Sequence, residues 1–337
     1  MRMEALLRLA DRRRLDQVLM CDPANVRAFT DVPSDNAVVT RDAIYTDFRY
    51  LPAARRVTKG TKLAVRDIKR LAGAVPGGTS GKRIGYESSI THERFIRLQK
   101  LFPRAKFVDI SKDLGEVRAV KTADEIAALR AAAKLSVEIW RDASGRFAAG
   151  MSELDMARAI RRLMAERGDG EAFQTIVCIG KNAAECHHEP DDTVWDGREP
   201  ILVDMGVKLC GVCSDMTRNI VPRRPSPRYR QAYDLVRRAH DAAIEAARPG
   251  MTAKELDAVA RGIIRAGGLG RRFGHALGHG VGYEIHEAPL VSRKSDMVLK
   301  EGMVFTIEPG VYIEGDFGIR IEDTVLLTAT GCEVLTI

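Results

Sequence analysis

No stretch of this 337-residue chain is apolar over the roughly 18–20 residues that a bilayer-spanning helix needs. The N-terminal segment also lacks the continuous apolar core of a secretion signal. Glu4, Arg8, Asp11 and Arg12–Arg14 alternate with leucines there, which is the pattern of an amphipathic helix. Cysteine is sparse and unpatterned. Cys21, Cys178, Cys186, Cys210, Cys213 and Cys332 show no framework spacing. Cys210 and Cys213 form one C-x-x-C, the minimum for redox chemistry or half a zinc site, but no second pair completes four thiolates. Aromatic residues are only 6% of the chain and do not interleave with its cations, so a nucleic-acid surface is not supported. These absences leave a cytoplasmic protein with no membrane and no nucleic-acid partner as the expectation.

What is present suits a folded protein of two domains, with 45% hydrophobic and 29% charged residues. The net charge of +7 is unevenly placed. Residues 1–121 hold 25 Lys/Arg against 14 Asp/Glu, whereas residues 122–337 hold 28 against 32. The arginines of the first part are spread along it, as a basic surface or a subunit contact would have them. In that part Gln17–Met20, Asn36–Tyr45, Lys62–Arg66 and Arg83–Tyr86 predict strands, with helices near 3–15, 50–58 and 91–102. Strands interleaved with helices indicate an α/β layer. Pro76-Gly77-Gly78 predicts a loop.

A boundary is expected near Lys121, placing domains at 1–121 and 122–337. Thr122-Ala-Asp-Glu125 is a capping box, opening a helix to about Ala143 with Ile126, Leu129, Ala133 and Leu135 at helical spacing. The second domain then repeats itself. Gly150-Met151-Ser152 precedes Glu153-Leu154-Asp155 and a helix to Gly168. Gly250-Met251-Thr252 precedes Glu255-Leu256-Asp257 and a helix to Gly267. Glycine-rich chain follows each helix, and then a strand pair bearing two carboxylates, Asp204 with Asp215 and Glu308 with Glu322. The offsets are 100, 104 and 107 residues. One helix-then-hairpin unit used twice predicts a pseudo-twofold domain with its site between the halves.

Ile201-Leu-Val-Asp204-Met-Gly and Val304-Phe-Thr-Ile-Glu308-Pro-Gly each embed a carboxylate in an apolar strand run, which is costly unless the charge is paired or binds metal. In Gly318-Ile-Arg-Ile-Glu322-Asp-Thr, Arg320 and Glu322 are expected to share one strand face. Any one of these carboxylates is most simply the partner of an arginine; three of them, with Asp215 beside them, are not. Six of seven histidines fall from His187 to His286, and His275, His279 and His286 lie in a glycine-dense segment that leaves room beside an imidazole. Four carboxylates and an imidazole form an oxygen-rich set suited to two divalent ions roughly 3.5–4 Å apart, which would activate water near neutral pH. Ligand softness favours Mn, Co, Fe or Zn over copper without choosing among them.

In this order, Asp204 and Asp215, then His279 (Gly-His-Gly-Val-Gly), Glu308 (Thr-Ile-Glu-Pro-Gly-Val-Tyr) and Glu322 (Arg-Ile-Glu-Asp-Thr), the chain resembles the "pita-bread" metallopeptidases of family M24. These include methionine aminopeptidase, Xaa-Pro aminopeptidase and prolidase. The resemblance spans about residues 122–337. It implies an α/β pita-bread catalytic domain in which Asp204 chelates one ion, Asp215 and Glu322 bridge both, and His279 and Glu308 hold the other. It makes Glu308 the proton shuttle, His187 and His286 the substrate-facing histidines, His275 the additional histidine of the proline-specific branch, and Arg320 the residue that orients the carboxylates. Residues 1–121, with Asn36–Tyr45 and Thr46-Asp-Phe-Arg-Tyr50, resemble the N-terminal domain of creatinase and Xaa-Pro peptidases. The implied activity is hydrolysis of the bond before a proline at the second position of a small peptide. The implied cofactors are two divalent ions, manganese first with cobalt, zinc or iron as alternatives, and the implied assembly is a homodimer.

The departures are specific. Asn182-Ala-Ala-Glu-Cys186-His187 replaces a common Asn-Ser-Ala-Leu-Pro-His, and Leu290 stands where some dipeptide-cleaving relatives carry an arginine for the substrate carboxylate. Leu209 and Val212 occupy positions that are tyrosine elsewhere. Two other readings share the fold: a metal-free, creatinase-like hydrolase of other substrates, and a non-catalytic binding protein. Five filled ligand positions weigh against both.

Overall fold

The computed structural model describes residues 2–75 and 79–337, so the Pro76-Gly77-Gly78 loop lies outside the described residues. The chain divides between Arg118 and Ala119 into two compact units. In the first, Gln17–Leu19, Arg83–Tyr86 and Lys106–Asp109 form a parallel three-stranded sheet, and Ala37–Val39, Ala43–Thr46 and Ala64–Asp67 form a second sheet. The single strand expected over Asn36–Tyr45 is therefore two. Thr40 and Asp42 break it: the Thr40 Oγ1 accepts the Ala43 N–H at 3.0 Å and donates to Asp42, closing a tight turn through its own backbone. The expected helices are present as Arg2–Arg12, Leu51–Val57 and His92–Leu101. Sequence periodicity missed Pro23–Thr30 and Ser111–Ala119. The former carried its own signal, an Asp22 cap that accepts from the Ala24 and Asn25 N–H groups, followed by proline at the first helical position.

The second unit begins on the Thr122 capping box, with Thr122 accepting from Glu125 N–H and Glu125 returning to Thr122 N–H. Its helix runs Ala123–Ser144 and pairs with Glu153–Arg167 behind an antiparallel sheet of Ile176–Ile179, Ile201–Met205 and Met216–Ile220. The second half repeats this with helices Pro227–Ala246, unforeseen from sequence, and Ala253–Ala266. They cover a five-stranded sheet ordered Glu287–Val291, Gly278–Gly280, Val304–Ile307, Asp323–Leu327, Cys332–Val334. Each half has its own apolar core, one around Met156, Ile160 and Val203, the other around Leu256, Ile264 and Phe305. Among the described residues no helix is long and apolar enough to cross a membrane.

The duplication is visible bond by bond. Gly150 N–H donates to Trp195 O and Gly250 N–H to Leu299 O, while Trp195 and Leu299 donate back to Met151 and Met251. Isolated bridges join Ser152 to Val194 and Thr252 to Val298. Both helices open on capping boxes, Ser152 with Asp155 and Thr252 with Glu255. These caps align the halves at one constant offset, so the Glu-Leu-Asp echo read from sequence is slipped by two residues. Glu153 corresponds to Ala253, and Asp257 to Ala157.

In the first unit a buried carboxylate ties the sheet to the neighbouring helix. Glu87 accepts from Cys21 N–H, from Asp22 N–H at 2.8 Å and from the Asn25 side chain, whose oxygen in turn accepts from Arg118 at 2.8 Å. Burial pushes the Glu87 carboxyl above its usual range, and its three donors lower it and so offset part of that cost. Glu87→Ala is expected to lose about 2–4 kcal/mol, because it strands buried donors. A fall in the urea midpoint of the first-unit transition checks this, and an unchanged midpoint overturns it.

Candidate metal centre and active site

Each acidic residue singled out from sequence reaches one cleft, but mostly from strand ends. Asp204 lies inside Ile201–Met205, whereas Asp215 immediately precedes Met216–Ile220 and Glu308 immediately follows Val304–Ile307. Arg320 and Glu322 do not share one strand: the chain breaks between Phe317–Arg320 and Asp323–Leu327, and the two strands belong to different sheets. They meet through Thr217, whose hydroxyl donates to Glu322 Oε2 at 2.6 Å and accepts from Arg320 Nε at 2.9 Å. Leaving the ladder frees these carboxylates to turn toward a common point, which a regular strand would not permit.

The cleft encloses about 280 Å³ and is lined by Asp204, Asp215, His279, Glu308 and Glu322 with His187, His275 and His286 at its sides. Ligand atoms of Asp215, His279 and Glu322 lie within 4.8 Å of one another. His279 Nε2 is 3.5 Å from Asp215 Oδ2 and 3.3 Å from Glu308 Oε1. Its Nδ1 is 3.2 Å from Gly280 O, which fixes the proton there and leaves the Nε2 lone pair facing two carboxylates. The close approach of this strand to its neighbour needs glycine: a Cβ on Gly278 would lie 1.9 Å from Thr306 O.

The electrostatics are those of a site short of positive charge. Burial first, and then the neighbouring carboxylates, raise Asp215 and Glu322 well above the ordinary range. Glu308 is pushed up to about 8, chiefly by burial. Burial likewise lowers His275 and His279 to about 4, so both imidazoles are neutral near pH 7. Arg320 is the one cation lining the cleft among the described residues, and all three of its nitrogens are engaged. It donates to Asp204 Oδ2 at 2.7 Å, to Tyr312 Oη at 2.8 Å and to Cys186 O at 3.3 Å as well as to Thr217. Among the described residues Asp204 Oδ1 is buried without a partner. A buried carboxylate oxygen left bare, a neutral imidazole lone pair aimed at two acids, and three further acids unable to ionise together are the donor set of divalent cations.

Tyr312 and the threonines escaped sequence reasoning. Tyr312 Oη accepts from Arg320 and lies 3.0 Å from His275 Nε2, while His275 Nδ1 is 2.8 Å from Ala276 O. Thr306 donates to Glu308 Oε1 at 3.1 Å. A period of two was the available signal: Thr217 follows Asp215 by two, Thr306 precedes Glu308 by two, and Tyr312 sits across a hairpin from Arg320 on the same face. His286 lies beyond a bulge that follows His279, with ring centroids 4.2 Å apart, and burial lowers its pKa as well. Cys210 is the first residue of a two-residue hairpin turn and Cys213 ends the short strand that follows it, and all six cysteines are free thiols.

A pseudo-twofold α/β unit with acids from both halves converging on one imidazole defines a metal-dependent hydrolase. The profile of Metallopeptidase family M24 matches residues 127–329, and that of the Creatinase/Prolidase N-terminal domain matches residues 2–120. The chain is 35% identical over 342 residues to a Xaa-Pro dipeptidase of Pyrococcus furiosus, covering 99% of this chain and 97% of that one. Among solved structures it is similar to a Xaa-Pro dipeptidase from Bacillus anthracis (TM-score 0.92, 30% identity, 99% and 96% covered). It is also similar to an X-Pro aminopeptidase from Thermotoga maritima (TM-score 0.86, 32% identity, 98% and 97% covered). The chain belongs to metallopeptidase family M24 and carries a creatinase/prolidase-type N-terminal domain.

The raised acids set a sign for stability. A carboxyl whose folded pKa exceeds its unfolded value stabilises the fold at low pH, and that contribution is lost as pH climbs through the folded value. Metal-stripped protein is therefore expected to lose stability between pH 6 and 9, with Tm falling by at least about 4 °C. Added Mn should flatten the profile by replacing those protons. Calorimetric scans check this, and a level profile of the stripped protein overturns it.

Proposed function

We propose that this chain hydrolyses the peptide bond between an N-terminal residue and a following proline. The observation that carries this reading is the convergence of Asp204, Asp215, His279, Glu308 and Glu322 in one cleft flanked by three further histidines. The kinship to Xaa-Pro dipeptidases and an X-Pro aminopeptidase supplies the substrate class.

In this reading Asp204, Asp215, His279, Glu308 and Glu322 would together hold two divalent ions. Manganese is the first choice. The ions supply a lower pKa for water and a positive field for the scissile carbonyl. The remaining chemistry belongs to the chain. Glu308 takes a proton from the attacking water and returns it to the departing proline nitrogen. That nitrogen carries no hydrogen in the substrate, so it must be protonated before it can leave as an amine. His187 and His286, at the exposed sides of the cleft, donate to the substrate carbonyl as negative charge develops. His275, neutral and held between Ala276 O and Tyr312, presents a fixed wall beside them. Arg320 keeps Asp204 and Tyr312 in place. Six free thiols support a reducing, cytoplasmic setting, and the resemblance extends the reading to a homodimer.

No unengaged cation lines the cleft among the described residues, and Leu290 is 54% exposed rather than replaced by a carboxylate anchor. The Mn-loaded protein is thus expected to release alanine from Ala-Pro-Ala at least as fast as from Ala-Pro. Asp215→Asn should lower both rates by a factor of about 1,000 or more. Amino-acid release quantified by chromatography checks this. Failure to cleave either peptide with metal bound would sink the peptidase reading, and a strong preference for the dipeptide would place a carboxylate anchor outside this lining.

A further inference from the structure

Glu153, His188 and Asp191 bring their ligand atoms within 4.8 Å of one another, outside the cleft's lining. The cluster has the composition of a metal site, but its bonding is that of a knot. Glu153 is fully buried, and its Oε1 accepts from Ile179 N–H at 2.6 Å and from Asn182 Nδ2 at 3.0 Å. Its Oε2 accepts from Asp191 N–H at 3.1 Å and lies 2.7 Å from His188 Nε2, the ring nitrogen donating. Four donors occupy two oxygens, so no lone pair remains for a cation.

All four donors come from residues 179–191, the segment that carries Cys186 and His187. The opposite side of that segment packs on the Arg320 hairpin so closely that a Cβ on Gly318 would lie 1.6 Å from Ala183 O, and Arg320 donates to Cys186 O. Among the described residues the His187 ring itself makes no hydrogen bond, so its direction is inherited from the backbone between these two holds. We propose that Glu153, acting through His188 and Asn182, is the positioning residue that aims His187 into the cleft. This rests on the reading of the cleft as a peptidase active site.

The other half solves the same problem with different residues. Asp257 is fully buried, pairs in bidentate fashion with Arg261 at 2.7 Å and accepts Leu277 N–H at 3.2 Å. Arg261 donates to Phe273 O at 2.9 Å and to His275 O at 2.8 Å. In each half, a buried carboxylate from the early turns of the second helix holds the segment bearing a cleft histidine. The two carboxylates are not equivalent by cap register, which sets this apart from simple inheritance of one residue.

The test uses the full-length, Mn-loaded protein. Glu153→Gln keeps size but puts an amide donor against the donors it must accept. It is expected to speed amide exchange across 180–191 about tenfold while leaving Ile201–Met205 unchanged. On Ala-Pro-Ala, kcat should fall about 10–100-fold with KM little altered and Mn stoichiometry intact. His188→Gln, which retains a donor, should keep at least about tenfold more activity than His188→Ala. Unchanged exchange in Glu153→Gln overturns the anchor whether or not the wild type cleaves the peptide. Faster exchange with wild-type kcat overturns the link to His187. Should Glu153→Gln not fold, equal kcat in the two His188 variants overturns the proposal. A wild type that binds Mn but cleaves neither peptide defeats the peptidase reading instead, and the exchange result then still decides whether Glu153 holds the loop.

Discussion

Mutual repulsion among carboxylates buried in one cleft is the constraint around which the second unit is built. Two acids come from each half, and each would be cheaper in water. The fold brings them together regardless, because the strands are clamped by two independent apolar cores, and three of the four acids sit where a strand begins or ends. A single guanidinium, Arg320, offsets part of the charge by binding Asp204 directly and Glu322 through Thr217. The rest is left for cations or protons. An apolar core of this strength is what lets a protein keep a site that works against its own stability.

The histidines around the cleft show a consistent division between an accessible ring and a buried hold. His187 depends on Glu153, and His275 on the Asp257–Arg261 pair. His286 is followed directly by Glu287, whose carboxylate pairs with Lys121 at 2.6 Å with both side chains almost wholly buried. Groups that must face water to meet a substrate cannot be packed in place, so the precision is moved one residue or one turn away, into charge pairs that water does not screen.

Much of this was legible in the sequence, for identifiable reasons. Glycine, histidine and acid next to apolar runs have few uses, so Asp204, Asp215, His279, Glu308 and Glu322 stood out, and the structure brings them to one cleft. Capping boxes at Thr122, Ser152 and Thr252 are local chemistry and were readable as such. What could not be read was long-range. Tyr312 matters because a hairpin turns it toward Arg320, and Glu153 because a loop 26 to 38 residues on returns to it. The Glu-Leu-Asp echo misled by two residues, since letters recur by chance within a helix whereas caps mark its true start. Asn36–Tyr45 misled through propensity: its β-branched residues hid a turn that only Thr40 and Asp42 announced.

The matched bridges of Ser152 with Val194 and of Thr252 with Val298 bear on ancestry. A polypeptide comprising one half alone would offer two acids on an open sheet with no facing wall. It could enclose a cavity only by docking against a copy of itself. Fusion of two such copies into one reading frame ends the requirement that both walls stay identical. Thereafter one wall could keep aspartates and the other glutamates, and each could evolve its own means of steadying an imidazole. In this sense the two halves stand to one another as the protomers of a homodimer would, with each free to carry its own residues.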